Sequence, residues 1–62
     1  MRDVLIVFTD GTERVITKVT DYELNDNVDC FFINKNDHKI MIPRQNVKII
    51  GYRDDLLKPS EW

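Results

Sequence analysis

Ile40-Met41-Ile42-Pro43-Arg44-Gln45-Asn46-Val47-Lys48-Ile49-Ile50 is the stretch that decides the fold. Two runs of large aliphatic residues flank one proline and three polar residues. Pro43 has no N–H to give to a ladder, so it ends the first run. Arg44-Gln45-Asn46 is long enough for a single 3₁₀ turn and nothing more. The stretch therefore reads as strand, tight turn, strand, with the second strand running from Val47 to Ile50 or Tyr52.

Working outward, Val4-Leu5-Ile6-Val7-Phe8 is apolar at every position, as expected of a strand covered on both faces. Asp10-Gly11 follows and predicts a two-residue type I′ hairpin turn, with Thr9 and Thr12 facing each other across it. Glu13 to Thr20 is rich in Val, Ile and Thr. Period-two alternation puts Val15, Thr17 and Val19 on the inward face, with Ile16 competing from the other. Asp21 to Asn27 reads as a break, with room for one helical turn that pins Tyr22 and Leu24 to the body of the domain. Val28 to Asn34 is the third strand, Asn36-Asp37 the second hairpin turn, and Lys39–Ile42 the fourth strand. The expected architecture is all-β: a small five-stranded SH3/Sm-like barrel over residues 1–52, then a C-terminal helical turn and tail over 53–62. Pro59 stops that helical turn at Lys58.

Sixty-two residues make one domain at most, and a hydrophobic fraction of 42% argues for a folded one. Cys30 is the single cysteine, so no disulfide forms within the chain. In the run Cys30-Phe31-Phe32-Ile33 it reads as a buried small hydrophobe in a reducing compartment. The opening apolar run is shorter than a signal peptide requires, and none approaches a membrane span. Cytoplasmic localisation without membrane association is the expectation. The net charge of −2 hides a split. Residues 1–34 hold three cations against seven acids, and residues 35–53 hold five cations against one acid.

Three segments resemble the Sm-like and SH3-like small barrels over most of residues 3–50. Phe8-Thr9-Asp10-Gly11-Thr12 resembles the strand-turn-strand opening of Sm-like folds. Asp21-Tyr22-Glu23-Leu24-Asn25 resembles the Sm segment in which an aspartate precedes an asparagine by a few residues. Ile40–Ile50 resembles the closing strand pair with its short 3₁₀ link. Sm-like folds carry a glycine that bends the second strand, and Glu13 to Thr20 has none. Their closing turn carries an Arg-Gly pair, where this chain reads Pro43-Arg44-Gln45. No RNA-contact residue is therefore carried over. SH3-type grooves use clustered exposed aromatics, for which Tyr22, Tyr52 and Trp62 are the candidates. In size and acidity the chain also resembles accessory proteins of phages and mobile elements.

The sequence nominates no catalytic residue, cofactor or metal. His38 falls in a turn with no partner for acid-base work. Asn25, Asn27 and Asp29 alternate like the start of a calcium loop, but the glycine and the closing glutamate of such a loop are missing. One cysteine and one histidine are too few for zinc. Two binding readings remain. The preferred one is a non-enzymatic protein-binding module, an adaptor, inhibitor or regulatory subunit that also forms a homo-oligomer. It rests on the two-faced apolar strands and the self-complementary charge split. Trp62 is its anchor, with Tyr22 and Tyr52, unless Trp62 folds back on Leu56 and Leu57. The alternative is an Sm-like oligomer that holds RNA or DNA on a basic edge of Lys39, Arg44, Lys48 and Arg53. Phe31 or Phe32 would supply base stacking if one faces outward.

Overall fold

A computed structural model describes residues 1–56. Its elements in order are β1 (Arg2–Phe8), β2 (Glu13–Val19), β3 (Asp21–Asn25), β4 (Cys30–Lys35), β5 (His38–Pro43), a 3₁₀ turn (Arg44–Asn46), β6 (Val47–Tyr52) and α1 (Arg53–Leu56). The fold is all-β. The ladders form two antiparallel three-stranded sheets, ordered β2-β1-β6 and β3-β4-β5. The expected tail and Trp62 lie outside the described residues.

Among the described residues there are six strands where five were expected. The extra one is β3, which occupies the segment read as a break. Its residues alternate: Tyr22 and Leu24 lie on the face of Ile33 and Phe31, while Asp21, Glu23 and Asn25 lie on the other. That period-two pattern outweighed the turn preference of Asn and Asp. The turn begins only after Asn25, whose Oδ1 accepts the Asn27 N–H at 2.9 Å. The third expected strand accordingly starts at Cys30, two residues later than the sequence suggested.

A bulge in β2 settles which of its residues face inward. Val4 pairs with Ile16, but Arg2 pairs with Val19, so three residues of β2 span two of β1. Lys18 sits at φ 57°, the left-handed region that bulges use. Ile16 and Val19 are both buried despite their three-residue spacing, and Val15 is 41% exposed. The inward face is therefore Ile16 and Val19, not Val15, Thr17 and Val19. The lysine also supplies the bend for which the sequence holds no glycine. Beyond it, the Thr20 N–H donates to the Asn34 carbonyl at 2.8 Å and carries the chain into the second sheet.

β6 carries a second irregularity. Val7 pairs with Ile49 and Phe8 with Val47, which leaves Lys48 as the extra residue. Val47 packs against the core, while Ile49 is 44% exposed on the opposite face. Strict alternation would have put Val47 and Ile49 together with Lys48 opposite; the extra residue separates them.

The first hairpin loop has three residues, not two. Gly11 N–H donates to the Phe8 carbonyl at 3.0 Å, and Phe8 N–H to the Thr12 carbonyl at 2.8 Å. Gly11 alone takes a positive φ, 92°, as in a turn closed by a glycine bulge. Thr9 does not face Thr12: its N–H donates to the Asn46 carbonyl at 2.9 Å. The second hairpin turns at Asn36-Asp37 as expected, between the paired residues Lys35 and His38, with Asn36 at φ 51°.

The core is Val4, Ile6, Ile16, Val19, Ile33 and Ile42, ringed by Phe8, Tyr22, Ile40, Val47, Ile50 and Tyr52. Cys30 is not among these residues. It is half-buried on the opposite face of β4, and its thiol donates to the Val28 carbonyl at 3.3 Å. β1 is buried at Val4, Leu5 and Ile6 and half-buried at Val7 and Phe8. The outward Leu5 is 9% exposed and lies opposite Gly51, on the side that α1 covers.

Candidate functional site

The four basic candidates fall on four different elements. Lys39 lies on β5, its Nζ 5.1 Å from the centre of the Phe32 ring. Arg44 opens the 3₁₀ turn; its Nε is 3.0 Å from Asp29 Oδ1, and its N–H donates to the Asp29 carbonyl at 3.0 Å. Arg53 begins α1, with Nη1 3.9 Å from Asp3 Oδ2. Lys48 is exposed at the bulge of β6 and enters no salt bridge among the described residues. Two of the four cations are thus matched by local acids. Both pairs are exposed, and such pairs contribute about 0–1 kcal/mol.

The aromatic candidates Tyr22 and Tyr52 do meet. Their ring centres are 5.1 Å apart at an interplanar angle of 69°, an edge-to-face pair that joins β3 of one sheet to β6 of the other. The Arg2 guanidinium stacks 3.8 Å over Tyr52, and its Nη2 lies 3.0 Å from Asp55 Oδ2. Arg2 went unnoticed in the sequence, where a cation at the head of the chain carries no pattern. Of Phe31 and Phe32, Phe32 is the one on the outer face. It lies opposite Glu23 and beside Met41, which is 58% exposed.

The outer face of the first sheet carries apolar residues on all three of its strands. Leu5 lies between Val15 and Gly51, and Val7 between Glu13 and Ile49. α1 covers one corner: a Cβ on Gly51 would lie 3.2 Å from Leu56 Cδ1 and Cγ. The remaining strip of Val15, Val7 and Ile49 crosses all three strands. The signal that could have found this corner is Gly51, because a glycine inside an apolar strand marks a close approach.

Polar groups in the loops are engaged in turn structure. Asp10 Oδ1 accepts the Thr12 hydroxyl at 2.7 Å and the Thr12 N–H at 2.9 Å. The hydroxyl, then the amide, holds the Asp10 carboxyl below its usual range. Asn34 donates from its side-chain amide to Asp21 across the β3–β4 ladder. Asn25 and Asp29, two members of the calcium-like spacing, bond Asn27 and Arg44 respectively. His38 is exposed at the start of β5. Among the described residues no pocket forms, and no group of three or more metal-ligating side chains gathers. No described helix is long and apolar enough to cross a membrane. Comparisons with protein families, curated proteins and solved structures find no match.

Proposed function

We propose that the chain is a non-enzymatic protein-binding module, an adaptor, inhibitor or regulatory subunit, built on an SH3/Sm-like small barrel. The barrel reading is supported by the two three-stranded sheets, the bend at Lys18 and the 3₁₀ turn between β5 and β6. The observation that carries the function is the strip Val15, Val7, Ile49. Val15 and Ile49 are 41% and 44% exposed on opposite flanking strands, with Val7 half-buried between them. Apolar residues contiguous across a sheet face favour association with another apolar face. The acidic early strands and basic later segment support homo-oligomer formation as well.

The test is affinity capture from the native host with wild-type chain and with Val15→Glu combined with Ile49→Glu. A partner retained by wild type and lost by the variant supports the reading. A second reading, nucleic-acid binding, is favoured by the outward Phe32 under Lys39. Salt-sensitive binding to a mixed oligonucleotide pool, lost on Lys39→Glu with Lys48→Glu, would put nucleic acid in place of the protein partner.

A further inference from the structure

The described residues of α1 lie across the end of the first sheet, and two consecutive side chains fasten them in different ways. Leu56 comes down on Gly51 so closely that a Cβ there would stand 3.2 Å from it. Asp55 Oδ2 reaches Arg2 Nη2 at 3.0 Å, and that guanidinium is itself stacked 3.8 Å over Tyr52. An acid therefore meets a cation fixed on an aromatic face, and the next leucine meets a slot with no Cβ, beside the nearly buried Leu5. We propose that Arg2, Tyr52, Gly51 and Leu5 form a docking socket for an Asp-Leu pair on another protein, and that Asp55-Leu56 is the internal segment that fills it. This rests on the protein-binding reading and names the partner's chemistry.

Two observations support exchange. The Arg2 and Asp55 side chains are 43% and 53% exposed, so water screens this pair, and the Arg53–Asp3 pair at 3.9 Å is exposed as well. Withdrawal of Leu56 would also uncover Leu5, which lies opposite Val15 and extends the strip toward it. A second copy is the less suitable donor of this pair. β6 ends at Tyr52 and α1 begins at Arg53, so no linker exists to carry α1 into a neighbour, and swapping would have to peel β6 from β1.

The experiment titrates the blocked peptide acetyl-Gly-Asp-Leu-Gly-amide into isotope-labelled full chain and follows amide shifts. The tethered segment competes at an effective concentration in roughly the millimolar range, so binding to wild type is weak. Asp55→Asn with Leu56→Ser vacates the socket, and the apparent affinity should rise about tenfold or more. Shifts should centre on Arg2, Leu5 and Gly51. They should weaken when the peptide's Asp or Leu is replaced by Asn or Ser, and when Gly51→Ala narrows the slot. Thermal melts check folding, and the single Leu56→Ser chain gives the same comparison if the double variant does not fold. Equal affinity for filled and vacated chains overturns the proposal, as does indifference to the peptide's leucine. A concentration-dependent dimer lost on Leu56→Ser overturns it too, by assigning the socket to a second copy. The titration needs no native partner, so its failure is distinguishable from failure of the capture experiment.

Discussion

The two sheets use their outer faces differently. In β2-β1-β6 the central strand is apolar on both sides, and the outward Leu5 is 9% exposed where its inward neighbours Val4 and Ile6 are fully buried. In β3-β4-β5 the inner side is apolar and the outer side is mixed. Ile33 and Ile42 point to the core, while Asp21, Glu23, Asn34 and Lys39 share the other face with Phe32 and Met41. The first sheet supplies Val4, Ile6, Ile16 and Val19 to the core, the second only Ile33 and Ile42. A sheet whose central strand buries side chains on both faces holds more of the stability, and the uncovered part of its outer side is where a partner would gain from burial. In the proposed binding module, the stabilising surface and the recognition surface would be drawn from the same strand.

The sharpest test of that difference is truncation on each face. Ile6→Ala and Ile33→Ala, both fully buried, should each cost about 2–5 kcal/mol in denaturant unfolding. The sheets should then separate on their outer sides. Leu5→Ala should cost at least about 2 kcal/mol, whereas Met41→Ala should stay within about 0.5 kcal/mol. Equal costs at Leu5 and Met41 would erase the distinction between the sheets.

The bulge at Lys18 should have the next largest effect. Lys18→Gly relieves a left-handed backbone and should raise stability by up to about 1 kcal/mol, while Lys18→Val should lower it by more than about 1 kcal/mol. If both substitutions act alike in thermal melts, the bend does not reside at this residue. The Arg44–Asp29 pair, exposed on both sides, should show a coupling of at most about 1 kcal/mol in a double-mutant cycle, smaller still at high salt. The last effect is confined to acid. Asp10 titrates below its usual range in the folded chain because of Thr12. Its contribution is therefore complete above the unfolded carboxylate value and disappears as pH falls through the lower folded value. Stability curves of wild type and Asp10→Asn should converge in strong acid and part as pH rises. Parallel curves would show that the Thr12 bonds are not linked to folding.

Much of this was legible in the sequence. The continuous apolar run of β1, the Asn36-Asp37 turn and the strand–turn–strand of residues 40–50 all appear where local chemistry places them. Misreadings arose where one residue changes the period. Lys18 and Lys48 are each inserted into a ladder, and insertion reverses the facing of everything beyond it. A lysine announces neither event, since its propensity says nothing about left-handed backbone. β3 was hidden for a different reason: Asn and Asp are turn formers, and only the cross-strand partners Ile33 and Phe31 show that their alternation with Tyr22 and Leu24 prevails. At the candidate sites, no local pattern places Tyr22 beside Tyr52, because the contact joins two different sheets. Arg2 and Leu56 became visible only once β1, β6 and α1 were side by side.

The loops beside the 3₁₀ turn are joined through their main chains: Arg44 to Asp29 at its start, and Thr9 to Asn46 at its end. Amides and carbonyls are common to nearly every residue type, so these knots place almost no demand on which side chains occupy the positions. That end of the molecule is free to change its chemistry under selection while its shape stays put. Two chains with this architecture could diverge there until nothing in their spelling betrayed a common ancestor.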